Sequence, residues 1–443
     1  METNQPKTHS KPVVTIQLSA WMLAAIGIVF WMLAAIGIVL AAGIWGISAK
    51  FSTKNLPDNK QSNIKPAHHA TTNHVTEIST KDATWGRLYA KSFTIERPDA
   101  FLGIPSPFTE KARWIFEKQN RQEVTAIFDR IGLTADQKVQ LLAPDRCKET
   151  ADGLDLIPDH KIVRELSREA RTSLYAILGS SSINPRHHSP FTVPENWLSD
   201  LQLTQTMARD TYESINNLLY RRGNVIYFSD MPALFDVVTD PLERRNVVKA
   251  LSRRPALLVN LHITEDANMD EIIGYWSRGW HAKDLRSLLN SLSREQEDVS
   301  LDIIHLLPPF ARERVYTFPY PQLGSNEEKP NCYWTALNFF STDQPDARFT
   351  HIEAAKAKLD KDYYPITDKP ALGDVICLID SQGELFHMAN YIAANIVFTK
   401  NGYHHHNPWV LATTEDMIAN YPAQQPITTL SFRRKDTPQA ATP

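Results

Sequence analysis

The C-terminal quarter of the chain constrains the fold most, because a helical pattern there precedes a series of closely spaced strand patterns. The helical pattern begins at Cys332, directly after Asn331, which is a favourable N-cap residue. Strand-like runs follow at 374–380, 385–393 and 396–400, with turn residues between them. A helix followed by an antiparallel meander predicts an α+β arrangement.

Cys332 and His387 suggest a chemical function for this arrangement. A helix N-terminus carries about half a positive charge, which favours the thiolate form of a cysteine there. His387 lies in the second strand pattern and shares a strand face with Ala389 and Tyr391. We therefore expect the Cys332 thiolate to attack a carbonyl carbon while His387 protonates the leaving amine. The backbone N–H of Cys332 is a candidate donor to the oxyanion.

Four sequence features in register resemble the NlpC-type cell-wall cysteine peptidases of the papain-like superfamily. They are Pro319-Tyr320, Cys332 at a helix start, the Leu372-Gly373-Asp374-Val375-Ile376 strand start and the strand His387-Met388-Ala389-Asn390-Tyr391-Ile392. The resemblance covers residues 315–425. The chain departs from the family at the nucleophile, where it has Asn331-Cys332-Tyr333-Trp334 in place of Asp-Cys-Ser-Gly. The two aromatic side chains put peptidoglycan specificity in doubt.

This resemblance implies a hydrolase domain at 315–425 that cleaves amide or peptide bonds in a peptide or peptidoglycan-like substrate. It implies that the Tyr320 hydroxyl helps to hold the oxyanion. The residue that orients His387 would be Asn401 or Thr399, which share a strand face, and Asn401 is favoured. No cofactor and no metal is expected. Two other functions stay open: a catalytically silent envelope scaffold, and a thiol acyltransferase that acts on lipid.

Other reactive side chains fit structural interpretations better. Cys377 lies in an apolar strand and is expected in the core, and Cys147 is expected to be an inert or partly exposed thiol. The run 404–406 contains three histidines, but adjacent residues of a regular element cannot all face one ion, so a solvated loop is expected. Asp374 follows a glycine at a strand start, which is typical of turn chemistry.

The N-terminal region predicts a membrane anchor. No residue from Ala20 to Ile47 is charged, and as a helix this run would be about 42 Å long, more than the about 30 Å of a hydrocarbon core. Residues 20–49 are therefore expected to span a membrane once, with 1–19 in the cytoplasm. A cleaved signal peptide is the competing interpretation. Together with the resemblance, this places the protein in the bacterial inner membrane with its bulk on the periplasmic side.

The remaining chain divides by composition. Residues 50–82 are polar and predict a linker, whereas 83–314 predict a mostly helical α/β region of unknown role, with helical patterns at 112–131 and 158–178. Residues 426–443 are expected to form a tail. The formal charge of −3 and the pI near 6.6 give no basic excess, so nucleic-acid binding is not expected. The oligomeric state stays open.

Overall fold

The structure, a computed structural model, describes residues 75–79, 83–102, 112–194, 197, 207–264, 266–278, 282–295, 298–320, 329–421 and 426–435. None of the helices in these ranges has the length and apolar character needed to cross a bilayer. The predicted anchor at 20–49 and most of the predicted linker lie outside the described residues. A fold class that includes a transmembrane helix is therefore not supported, and it is corrected to an α+β fold of antiparallel sheets and short helices.

A four-stranded antiparallel sheet opens the described chain. Its order is β1-β2-β9-β10, and its strands are β1 (Val75–Ser79), β2 (Arg87–Ile95), β9 (Arg254–Thr264) and β10 (Asp298–Asp302). Strands β2 and β9 pair over nine residues, from Arg87 opposite His262 to Ile95 opposite Arg254. Buried and more exposed residues alternate along β9, as expected when one face of a sheet covers a core.

Two three-stranded sheets and most of the helices lie between β2 and β9 in sequence. The sheets are β3 (Trp114–Glu117) with β4 (Cys147–Thr150) and β5 (Gly153–Leu156), and β6 (Phe191–Val193) with β7 (Tyr220–Arg222) and β8 (Val225–Phe228). The helices up to β9 are α1 (Asp99–Leu102), α2 (Arg121–Arg130), α3 (Ala135–Leu141), α4 (His160–Glu165), α5 (Arg168–Leu178), α6 (Pro185–His188), α7 (Arg209–Leu218), α8 (Met231–Phe235) and α9 (Pro241–Leu251).

The region 83–314, predicted as a mostly helical α/β region, contains more helical than strand residues and also contributes strands to three of the four described sheets. Trp114 and Phe116 are buried and alternate with more exposed residues, which is the two-residue period of strand β3. The helical pattern predicted at 112–131 therefore combined this strand with helix α2, which begins at 121. The predicted helix 158–178 is two helices, because Ser167 caps a new start through its hydroxyl. Helix α3 begins with a capping box formed by Thr134 and Gln137.

A six-stranded antiparallel sheet carries the candidate site. Its order is β11-β16-β12-β13-β14-β15, with β11 (Tyr363–Ile366), β12 (Val375–Ile379), β13 (Leu385–Ala393), β14 (Ile396–Lys400), β15 (Trp409–Thr413) and β16 (Thr428–Arg434). The helices after β9 are α10 (Met269–Ser277), α11 (Ala282–Glu295), α12 (Pro309–Arg314), α13 (Cys332–Leu337), α14 (Ile352–Asp362) and α15 (Thr414–Ala419), with 3-10 turns at Ile303–Leu306 and Ala347–Thr350.

The predicted meander is confirmed, and the predicted tail is corrected. Strands β13 and β14 begin and end at the predicted residues. Residues 428–434, expected in a tail, instead form strand β16, which pairs with β11 on one side and β12 on the other.

The four-stranded and six-stranded sheets share one hydrophobic core. Side chains of β2, β9 and α10 pack in the same buried cluster as those of α13, β12 and β13. The Tyr275 hydroxyl donates to the Ile392 carbonyl at 2.6 Å, and Arg278 pairs with the buried Asp374 at 3.3 Å. The cysteine-bearing segment therefore packs directly on the residues that precede it.

Candidate functional site

Cys332 is the first residue of α13, as predicted. The Asn331 side chain accepts a hydrogen bond from the Trp334 backbone N–H at 2.9 Å, which is the N-cap geometry that starts the helix. The Asn331 amide also donates to the Thr350 carbonyl at 2.6 Å, so the cap is fixed from outside the helix.

The Cys332 thiol is buried and uncharged in this arrangement. Its residue is 4 % exposed, and burial raises the thiol pKa to about 11. The backbone of Met388, the Lys400 ammonium and the backbone of Tyr333 each act in the opposite direction but do not compensate for burial. The prediction of a stabilised thiolate is therefore not met, because the cost of desolvating the charge exceeds the favourable effect of the helix N-terminus.

His387 is fully buried in strand β13 and hydrogen-bonded at both ring nitrogens. Its Nε2 lies 2.9 Å from the Thr399 hydroxyl on the neighbouring strand, and its Nδ1 lies 2.6 Å from the Tyr421 hydroxyl. Burial lowers the pKa of His387 to about 3, so the ring is neutral near pH 7. A neutral imidazole has one N–H, so one of the two hydroxyls donates to the ring and the other accepts from it.

The Cys332 helix and the His387 ring approach β13 from different faces. The Asn390 side chain donates to the Ala336 carbonyl at 3.0 Å, which places α13 on the face that carries Met388 and Asn390. His387 alternates with these residues and faces the other side with Ala389. Within the described chain, neither ring nitrogen of His387 hydrogen-bonds the Cys332 sulfur.

Of the two candidate orienting residues, Thr399 is the one that contacts His387. It is fully buried, and its hydroxyl fixes the ring from β14. Asn401 lies just past the end of β14, and its buried side-chain oxygen has no hydrogen-bond partner among the described residues. The preference for Asn401 is therefore corrected, because the strand ends before that residue.

Tyr320 does not join the site in this structure. It is 72 % exposed, and its ring packs edge-on against Phe101 with 5.3 Å between centroids. No described contact connects it to Cys332 or His387, so the expected oxyanion role has no geometric support.

Tyr421 is a site residue that sequence reasoning missed. Its hydroxyl is hydrogen-bonded to Nδ1 of His387. Burial raises the pKa of the Tyr421 phenol, and the neighbouring Cys332 and Tyr333 groups raise it further. The phenol therefore lies within electrostatic range of the thiol and in contact with the imidazole. Its position depends on α15 folding back onto the sheet, for which the residues around it carry no local signal.

Lys400 is the second residue that was missed. Although it ends a strand, it is fully buried, and its ammonium donates to the carbonyls of Gly402 at 2.7 Å and His404 at 3.0 Å. Burial lowers its pKa to about 7, while a Cys332 thiolate would act to raise it. The charge states of Lys400 and Cys332 therefore influence each other.

The other reactive groups have structural surroundings. Asp374 is 2 % exposed, forms ion pairs with Arg278 and Arg433, and accepts from the Ala371 N–H, which accommodates the expected turn. Cys377 lies in the core, as predicted. Cys147 is buried, and burial raises its thiol pKa.

The predicted solvated loop at 404–406 is wrong for its last residue. His406 is 3 % exposed and stacks on Phe191 with 4.7 Å between ring centroids. Within the described ranges, no group of three or more histidine, cysteine or acidic side chains has the geometry to hold a metal ion.

Comparison with protein-family models, with curated proteins and with solved structures finds no match to this chain. A neutral thiol and a neutral imidazole, both buried, can become a nucleophile and a general base only if they meet, and the Tyr421 phenol occupies the ring nitrogen left available by Thr399.

Proposed function

We propose that this protein is a thiol hydrolase of amide or peptide bonds, with Cys332 as the nucleophile and His387 as its acid–base partner. The Cys332 sulfur forms a thioester with the substrate carbonyl carbon as the carbon–nitrogen bond breaks, and His387 delivers a proton to the departing amine. Water activated by His387 then hydrolyses the thioester and restores the thiol. A peptide of the cell-wall type is the substrate class that the family resemblance suggests.

One observation carries this proposal: a histidine on the middle strand of a meander is fixed through one ring nitrogen by a hydroxyl on the next strand. The Thr399 hydroxyl at 2.9 Å orients His387 in the manner of the third member of a catalytic triad. The Cys332 thiol lies at a capped helix start on the other face of β13, where the Cys332 and Met388 backbones favour the thiolate.

In this proposal the described arrangement is a closed, resting state. The Tyr421 phenol holds Nδ1 of His387, and both reactive groups are uncharged. Activity then requires substrate or another partner both to withdraw Tyr421 and to bring the His387 ring and the Cys332 sulfur, which lie on different faces of β13, into contact, so that the imidazole can accept the thiol proton.

Turnover of defined substrates tests the proposal. The full chain is incubated with peptide amides, peptidoglycan fragments and acyl-lipids, and the products are identified by mass spectrometry. Hydrolysis of a peptide or peptidoglycan bond is expected from the wild-type protein and, at a higher rate, from Tyr421→Phe, but not from Cys332→Ser. The proposal fails if folded wild-type and Tyr421→Phe proteins leave every peptide bond intact. Transfer of an acyl chain instead would favour an acyltransferase.

The burial of both groups favours a second candidate, a catalytically silent binding protein. Cys332 is 4 % exposed and His387 is fully buried, and their pKa values have moved away from a thiolate–imidazolium pair. A scaffold would bind peptidoglycan fragments equally well as the wild-type protein and as Cys332→Ser, without turnover of either. Binding measured by calorimetry with both proteins distinguishes this candidate from the hydrolase.

A further inference from the structure

A group of buried and partly buried basic side chains lies beside the candidate site and has no role in the proposed reaction. We call it the cationic cluster, and it consists of Arg97, Arg254, Lys400 and the histidines 404–406. Arg97 follows strand β2, Arg254 begins strand β9, and the histidines lie in the loop between β14 and β15. The cluster therefore forms where the four-stranded and six-stranded sheets meet.

The hydrogen bonds and ring contacts within the cluster are all made between neutral or positively charged groups. The Arg97 guanidinium donates through Nη1 to Nδ1 of His406 at 3.3 Å. Because arginine only donates, this Nδ1 accepts and the His406 proton lies on Nε2. Arg254 donates to the Asn407 side chain at 3.1 Å and to backbone carbonyls. The rings of His404 and His406 stack with 5.6 Å between centroids.

The cluster has no negative charge of its own. Among the described residues, no carboxylate lies within ion-pair distance of Arg97, Arg254 or Lys400. Arg97 is 2 % exposed and Lys400 is fully buried, so bulk solvent does not solvate these charges. Buried charges in proteins are normally paired or bound to an ion.

Unused hydrogen-bond donors point to the missing component. One such donor is the buried Nε of Arg97, which has no hydrogen-bond partner in the described chain. Nε and the two Nη atoms of a guanidinium form a planar fork that matches two oxygens of a carboxylate or phosphate. Desolvation, which lowers the pKa of Arg97 to about 10, is the penalty that such an anion would relieve.

We propose that the cationic cluster is a binding site for an oxyanion, either free phosphate or a carboxylate group of a ligand. Arg97 is the principal ligand, with Arg254 and the 404–406 histidines completing the site. The proposal does not depend on hydrolysis, because every group that it uses lies outside the Cys332–His387 pair. The experiment that tests it likewise measures anion binding and not substrate turnover.

Thermal unfolding of the full chain measures this binding. Phosphate, acetate and chloride are compared at equal ionic strength and pH 7.5, so that only an effect specific to oxyanions changes the melting temperature. A rise of about 5 °C is expected when the bound anion exceeds its Kd about a hundredfold. Phosphate alone giving the rise indicates a phosphate site, and acetate giving it indicates a carboxylate site. Equal melting temperatures in all three salts would overturn the proposal.

Substitution of single arginines shows which part of the chain produces the oxyanion-dependent rise in melting temperature. Arg97→Gln is expected to abolish the oxyanion-dependent rise, whereas Arg312→Gln, which removes an exposed arginine from α12, retains it. Arg254→Gln provides a second variant in the cluster if Arg97→Gln does not fold. If both cluster variants keep the full rise, the anion binds elsewhere and the proposal is wrong. The wild-type comparison decides the matter even if neither variant folds.

Discussion

Alkylation of Cys332 at different pH values tests the closed arrangement quantitatively. The perturbation is the change of pH from 6 to 11, applied to a protein in which Cys147→Ala and Cys377→Ala leave Cys332 as the remaining thiol. The structure raises the Cys332 pKa from its ordinary 9.0 to about 11. At pH 8 the thiolate fraction is then about 0.1 %, against about 9 % for an ordinary thiol, a difference of about a hundredfold.

A more basic thiolate is a better nucleophile, which offsets part of this difference. With a Brønsted coefficient of about 0.45, two pKa units return a factor of about eight. Cys332 should therefore react about tenfold more slowly than an unhindered cysteine at pH 8, and more slowly still because only 4 % of the residue is exposed. Its rate should rise about tenfold per pH unit.

The assay is alkylation by iodoacetamide followed by intact-mass spectrometry, with the melting temperature measured at each pH to confirm folding. A rate that reaches a plateau below pH 7 would refute the reasoning, because it would require a thiolate–imidazolium pair. Such a plateau would be compatible with a hydrolase, but it would show that the protein does not rest in the closed state with an uncharged Cys332.

Three further outcomes follow from the same contacts. Tyr421→Phe should cost about 1–3 kcal/mol of unfolding free energy, since it removes the hydroxyl that hydrogen-bonds a buried imidazole. Alkylation of Cys332 should also become faster in this variant. An unchanged alkylation rate would argue against Tyr421 keeping the site closed. His387 is held neutral by burial, so its folded pKa of about 3 lies below its ordinary 6.5. The contribution of neutral His387 to stability is complete above pH 6.5 and falls by up to about 1.4 kcal/mol per pH unit below it. In urea unfolding, His387→Gln should therefore lose less unfolding free energy than the wild-type protein between pH 6.5 and 4. An identical dependence of the unfolding free energy on pH in the two proteins would contradict this. Asp374→Asn should lower stability by about 3–5 kcal/mol, because two partly buried arginines lose their buried charge partner, and a loss below about 1 kcal/mol by denaturant unfolding would refute that account.

The meander was predictable because its signals are local. Strands β13 and β14 are bounded by short turns, and Ala394 adopts a positive φ of 54° in the turn between them. Strand β16 was not predictable in the same way, since its partners β11 and β12 are distant in sequence. An exposed, polar run such as 428–434 acquires strand character from the pairing itself.

The site shows the same division between local and non-local information. A two-residue period correctly places His387, Ala389 and Tyr391 on one face of β13, but it does not say which face the Cys332 helix covers. Burial is also not readable from spacing, although it sets the pKa of both reactive groups in the folded chain. The helix start at Cys332 was predictable, because the Asn331 cap is local.

The most direct test of the central claim is covalent trapping of Cys332 by an activated acyl donor. A p-nitrophenyl peptide ester is mixed with the wild-type protein, Tyr421→Phe, His387→Gln and Cys332→Ser, and the thioester is located by peptide mass spectrometry. We expect acylation of Cys332 in the wild-type protein, faster acylation in Tyr421→Phe and at least about tenfold slower acylation in His387→Gln. Equal acylation with and without His387, or none at Cys332 in any folded protein, would contradict a shared catalytic site.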